Sequence, residues 1–206
     1  MKTISPRVTY NYNVNMLSVI EAIRARRSVR HFKPDPVPAE VVDQMLEAAR
    51  LAPSGSNRQP WRFQVIAEPS LIEKVFQEAT FGSKHIQEAP LLIVCGSELL
   101  SYVKGNRLES ASSVLAAEGD DLETLKPFLA DAQMNTAIAI EHMVLVAPAL
   151  GVGTCWVQRI NPGQMAKLLG WPRHVIALCL LLVGYPAEEI PAKPRLPLDE
   201  ILLNRE

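Results

Sequence analysis

Four segments of the chain carry side chains whose types and spacing could hold an anion or a flat ligand. The first is Arg26-Arg27-Ser28-Val29-Arg30. Guanidinium groups are planar forks that match phosphate oxygens, and a serine hydroxyl adds a short donor, so the cluster can converge on one phosphate. It also reads as the solvated basic end of a helix, where cations complement the helix dipole. The second is Pro53-Ser54-Gly55-Ser56-Asn57-Arg58-Gln59-Pro60-Trp61. Gly55 permits a positive φ or a close approach of backbone to ligand, and the Ser and Asn side chains can bond the edge of a planar heterocycle. An ordinary helix-to-strand loop has the same composition. The third is Gly151-Val152-Gly153-Thr154-Cys155-Trp156-Val157-Gln158-Arg159. Its glycines and strand end could turn backbone N–H groups toward a flat ligand, but the third glycine of a dinucleotide fingerprint is missing. Trp156 by itself suits a core as well as a ligand wall. The fourth is Lys193-Pro194-Arg195, where the period of two puts both cations on one side of an extended segment, or leaves them on a solvated tail.

A side-chain catalyst is harder to find. The chain has no GxSxG elbow, HExxH pair or Walker loop. Its four histidines, His31, His85, His142 and His174, are scattered, and His142 lies in an apolar stretch that reads as core. Nothing places a histidine beside Cys155. A chain with phosphate-type segments and no evident acid, base or nucleophile points to chemistry supplied by a cofactor. No catalytic residue is therefore named.

Composition bounds the partners. Lys plus Arg is 21 and Asp plus Glu is 22, a net charge of -1. That excludes a global basic field for nucleic acid or an anionic membrane, and leaves anions to local clusters. Cys95, Cys155 and Cys179 are odd in number and show no metal spacing, so they read as reduced core thiols. The longest apolar run, Val175 to Val183, is well short of the ~20 residues that a membrane helix needs. The N-terminus starts polar, without an apolar signal core. A cytoplasmic protein is expected, with an extended arm over 1–15 and one domain over 16–206. Hydrophobic residues make up 48% of the 206, ample for a packed core.

The elements that must position these segments follow from periodicity. Leu17, Ile20 and Ile23 recur at helical spacing, which predicts a helix ending near Ser28. A second helix is expected from about Ala39 to Leu51, with Val41, Val42, Met45, Leu46 and Ala49 inward. Trp61, Phe63 and Val65 alternate as a strand. Ser70 with Glu73 reads as a capping box for a helix reaching Ala79. Leu91 to Cys95 is a central strand, Asp131 to Leu150 a buried helix interrupted by Pro148, and TCWV a short strand. Asn161-Pro162 and Gln164 open another helix that Gly170 closes. Val175 to Val183 is a strand buried on both faces. The proline-rich tail from Pro186 is extended. Residues 97–130 give no legible pattern. Interleaved helices and strands without βαβ rhythm favour an α+β fold.

Taken in order, the four segments resemble the nitroreductase-like family of FMN-dependent oxidoreductases over residues 17–197. Arg26 to Arg30 looks like the family's R-x-S-x-R, Pro53 to Trp61 like its P-S-x-x-N-x-Q-P-W, and the stretch ending Gly151 to Trp156 like its G-L-G-T-x-W. The resemblance implies a three-layer α/β/α sandwich with a mostly antiparallel sheet and a C-terminal tail crossing to a partner subunit. It implies FMN as cofactor and NADH or NADPH as donor, with transfer through flavin N5 in ping-pong order. By the same resemblance, Arg26, Arg27, Ser28 and Arg30 grip the phosphate and ribityl chain, and Lys193 and Arg195 close over the phosphate. Pro53, Ser54, Gly55, Ser56 and Asn57 reach the ring bound by the neighbouring copy, so a homodimer with interface sites is implied. Trp156, Val157, Gln158 and Arg159 border the ring. Two departures stand out. Gln158 and Arg159 replace glycines of many relatives, and Gly82 and His85 fall where some relatives carry Asn and Lys. The implied acceptor is a small electron-poor molecule such as a nitroaromatic or quinone. Flavin reduction, enone reduction, reductive dehalogenation, or flavin binding without turnover are the alternatives.

Overall fold

The structure is a computed structural model that describes residues 17–103 and 126–204. Its elements in chain order are α1 (Val19–Ala25), α2 (Ala39–Arg50), β1 (Trp61–Ile66), α3 (Pro69–Ala79), β2 (Leu91–Glu98), α4 (Leu100–Val103), α5 (Leu129–Val146), β3 (Gly153–Val157), α6 (Pro162–Leu169), β4 (Val175–Gly184) and α7 (Leu198–Ile201). The four strands form one sheet in the order β1-β2-β4-β3, and every neighbouring pair is antiparallel. The expected arm over 1–15 and most of the illegible stretch lie outside the described residues.

The period of two in the central strands sorts their side chains into two cores. Leu92, Val94, Leu180 and Leu182 pack with Val75 and Ala79 of α3 and Met165 of α6. Ile93, Cys95, Cys179 and Leu181 pack on the opposite face with Met45 and Ala49 of α2 and Ile140 and Met143 of α5. Helices on both faces of one antiparallel sheet make the three layers that the resemblance implied. Register breaks once: Cys95 faces Cys179 but Gly96 faces Ala177, so Leu178 is an inserted residue on β4.

Local signals fix the element ends. Ser18 caps α1 in a capping box with Glu21, so the helix starts at Val19, two residues after the expected start at Leu17. The cap of α3 differs from expectation. Glu68 accepts from Ser70 N, with Pro69 at the first helical position, while Glu73 accepts from Gln77 and Gln87 side chains. Asn161 Oδ1 accepts from Gln164 N and opens α6; Gly170, with φ 66°, closes it. The long helix runs from Leu129 to Val146 and tightens into a 3-10 turn at Ala147–Leu150, where Pro148 withholds its donor. The tail is extended through Pro197 and then forms α7, a single turn that the prolines did not announce.

The apolar stripe of α1 faces outward. Only Ala22 is buried, while Val19 is 72%, Ile20 56% and Ile23 50% exposed. Met134 and Ile138 on α5 and Leu198 and Ile201 on α7 are exposed as well. Among the described residues, no helix is long and apolar enough to cross a membrane.

Candidate functional site

The Arg26–Arg30 segment leaves the end of α1 and lies along the outer edge of β3. Val29 N donates to Thr154 O at 2.8 Å, and Ser28 forms a parallel bridge with Thr154. Gly153 makes this approach possible: a Cβ there would stand 2.2 Å from Val29 Cγ2. The same chain continues beside β4, where Lys33 N donates to Tyr185 O at 2.8 Å and Ala187 N to His31 O at 3.0 Å. Buried Val29 and Phe32 pin it from below. The two glycines of Gly151-Val152-Gly153 thus have separate reasons. Gly151 turns the chain at φ 73°, and Gly153 admits the basic segment.

The arginines of this segment divide their work. Arg27 is engaged by carbonyls: Nε donates to Ile190 O at 3.0 Å, and Nη1 to Arg24 O at 2.6 Å and Arg26 O at 2.9 Å. It ties the start of the tail to α1. Arg26 Nη1 reaches Ser28 Oγ at 3.4 Å. Among the described residues, no carboxylate lies within 4 Å of Arg26, Arg30, Lys193 or Arg195. Arg26, Arg27, Ser28, Lys193 and Arg195 line one cavity of about 300 Å³. A neighbouring cavity of about 420 Å³ shares Arg26 and Arg27 and continues to Val144, Gly153 and Thr154. Burial pushes the Glu141 carboxyl on α5 up, and the Arg26 charge opposes it, so this carboxylate senses the cluster.

Arg30 leads from this corner toward the middle of β3. Burial, and then the Arg30 charge, hold His85 below the usual histidine value; Glu88 pulls the other way and His31 adds to the lowering. Burial pushes the Cys155 thiol up, again against Arg30. His85 sits in the 3-10 turn Lys84–Ile86. At the end of β3 the side chains alternate. Val157 is buried in the core with α3 and α6, so it can offer a ligand only its backbone. Trp156 and Gln158 line a cavity of about 360 Å³ against α5 and β4, and the buried Trp156 Nε1 has no hydrogen-bond partner there. Arg159 is exposed, and its carbonyl accepts from Phe81 N at 3.3 Å.

The Pro53–Asn57 segment lies elsewhere. It feeds β1, the opposite edge of the sheet, and neither cavity at the basic corner includes a residue from it. Gln59 N donates to Ser54 Oγ at 2.9 Å. Gly55 N donates to Asn135 Oδ1 at 3.0 Å, and Asn135 Nδ2 donates to Asp131 O. Of the two roles open to Gly55, a positive φ or a close backbone approach, the first is not taken. The left-handed residues are Ser56 (52°), Asn57 (53°) and Gln59 (49°), each costing of order 1–3 kcal/mol. Asn135, which anchors this loop, went unmarked in the sequence; the signal available was a polar residue inside an apolar helix.

Comparison with known proteins places the family and the fold. The model of the Nitroreductase family matches residues 23–185. A Thermus thermophilus protein named NADH dehydrogenase is 33% identical, covering 92% of this chain and 98% of its own. A Bacillus subtilis FMN reductase [NAD(P)H] is 29% identical over 90% of this chain and 73% of its own. An Exiguobacterium sibiricum structure, described as a nitroreductase in complex with FMN, superposes with a TM-score of 0.74 at 21% identity, covering 92% of this chain and 98% of that one. With the family model spanning the sheet, both cores and the Arg26–Arg30 edge, the chain belongs to the Nitroreductase family.

Proposed function

We propose that this NAD(P)H-dependent oxidoreductase carries a hydride from NADH or NADPH through bound FMN to an electron-poor acceptor such as a nitroaromatic or quinone. The observation that carries the reading is the set of cations at one corner, Arg26, Lys193 and Arg195, which share a cavity and lack carboxylate partners among the described residues. Three such side chains, with no carboxylate within 4 Å among the described residues and beside a serine hydroxyl, suit a phosphate bearing close to two negative charges. FMN, when bound, supplies a ring that takes a hydride at N5 and gives it up again.

The chain's own residues bind and orient. Arg26, Ser28, Lys193 and Arg195 would hold the phosphate, and Arg27 fixes the tail that carries two of them. Arg30 and His85, beside Cys155, would border the ring from the α3 side, and the backbone of Val157–Arg159 from the end of β3. Gln158 then faces the cavity with Trp156. The loop Pro53–Asn57 of a second copy would complete the site. Exposed Val19, Ile20 and Ile23 on α1, with Met134 and Ile138 on α5, supply apolar surface for that association. Beyond Arg195, the extended tail would cross to the partner.

The test is direct. Purified protein should be yellow or take up FMN, and anaerobic mixing with NADH or NADPH should bleach the flavin, which an acceptor then restores. A colourless chain that takes up no FMN overturns the reading. A panel of nitroaromatics, quinones, enones, halophenols and free flavins under steady NADPH oxidation separates the acceptor classes.

A further inference from the structure

Cys95 and Cys179 stand directly opposite each other on the two central strands, β2 and β4. Both side chains enter the core shared with α2 and α5, and each is at most 1% exposed. The Cys95 Sγ donates to Ile93 O at 3.5 Å, and Cys179 is close enough to act on the Cys95 thiol. Residues facing each other in an antiparallel ladder have Cα atoms about 4.5 or 5.5 Å apart, and both values fall within the ~4.4–6.8 Å window of a disulfide. The Cβ condition is tighter: facing residues stand about 4.5–5.5 Å apart, and a disulfide needs about 3.5–4.5 Å. The ladder must give slightly, and here it can. The inserted Leu178 breaks the register beside this pair, and a bulge loosens the ladder locally. Leu178 and Cys179 also border the cavity of about 360 Å³ with Trp156 and Gln158, the nearest open space to the pair. Cys155 is excluded by the pleat. It faces Leu182 and points into the other core, so the sheet separates it from the pair.

We propose that Cys95 and Cys179 are a reversible redox modification site that closes to a cross-strand disulfide under a hydroperoxide. The Cys179 sulfur attacks a peroxide oxygen, the O–O bond breaks, water or alcohol leaves, and Cys179 becomes a sulfenic acid. The Cys95 sulfur then displaces hydroxide from that sulfur; its proton leaves with the hydroxide as water, and the S–S bond forms. Two thiols thus lose two electrons and two protons while the peroxide is reduced. Cys179 borders the cavity and Cys95 does not, so Cys179 takes the first step. The contraction strains the bond, and strained disulfides are readily reduced, so the pair is a switchable site rather than a structural staple. This inference does not depend on the flavin reading.

The test uses the full chain as purified. After hydrogen peroxide, the protein is denatured, alkylated and peptide-mapped. The expected result is a cross-link joining Cys95 to Cys179, with Cys155 still alkylated, and loss of the link on adding glutathione. Cys155→Ser should keep the link and Cys179→Ser should lose it, with circular dichroism checking both folds. Three alkylatable thiols in the treated wild-type chain, a link through Cys155, or Cys179 oxidised to sulfinic acid without a link would each overturn the proposal.

Discussion

The basic corner at Arg26–Arg30 and the loop at Pro53–Asn57 differ in what holds them and in what they leave free. The basic corner has an ordinary backbone, bonded along its length to β3 and β4, and exposes unneutralised charge. The loop has a left-handed backbone at Ser56, Asn57 and Gln59, held by Ser54 and by Asn135 of α5, and exposes small polar groups. The first can hold an anion strongly and with little geometric discrimination. The second holds no charge but fixes hydrogen-bonding groups in directions that a relaxed loop would not keep. They sit on opposite edges of one sheet, so on the proposed reading each chain carries unlike halves of a site that a second copy would bring together.

The largest effect that would sharpen this contrast comes from the charges. Arg26→Ala and Arg195→Ala should each weaken FMN binding roughly ten- to hundredfold, from charge-assisted bonds of ~1.5–3 kcal/mol, and leave the melting temperature nearly unchanged. Flavin titration checks this; unchanged affinity in both variants would misplace the phosphate site. Gly153→Ala attacks the frame instead. Its Cβ would drive Val29 off β3, so it should cost about 1–3 kcal/mol in denaturant unfolding as well as flavin affinity. Asn135→Ala frees the Gly55 N–H at the other edge. Its expected cost is ~1 kcal/mol, with phosphate affinity retained and hydride transfer slowed in stopped-flow traces.

The smallest effect is a pH dependence. Burial and Arg30 hold His85 below 6.5, so the unfolded chain takes up this proton first as pH falls. His85 therefore withdraws stability as the pH drops through that value, and does so fully only below its folded pKa. His85→Gln should flatten the acid limb of a melting-temperature profile below about pH 6.5. An unchanged profile would show that His85 carries no such burden.

How far the sequence discloses this arrangement depends on whether the cause is local. Asn161-Pro162 and Gly170 bound α6 as their chemistry requires, because caps are local. The run Val175 to Val183 reads as a doubly buried strand because its lack of alternation is local as well. The α1 stripe shows the limit. Its spacing announces a helix with one apolar face, but Ala22 turns inward and Ile20 and Ile23 turn out, and nothing in the spacing says which surface covers them. Gly55 marks the 53–57 loop by type, but the left-handed residues are Ser56 and Asn57, and the loop's anchor, Asn135, comes from a distant helix. Arg27 reads as a phosphate ligand beside Arg26; only the fold shows its guanidinium turned to Ile190 O and Arg24 O. The Cys95–Cys179 contact is a matter of strand register, which no local pattern sets.

The shared-site claim has one decisive measurement: flavin content of a mixed dimer, purified through two different tags, in which one copy carries Arg26→Ala with Arg195→Ala and the other carries Asn57→Ala. If the basic corner of one copy works with the loop of the other, both lesions fall in the same site, and the second site stays intact with wild-type affinity and turnover. If each copy builds its own site, every site in the mixed dimer is damaged and no wild-type affinity survives, which would contradict the account.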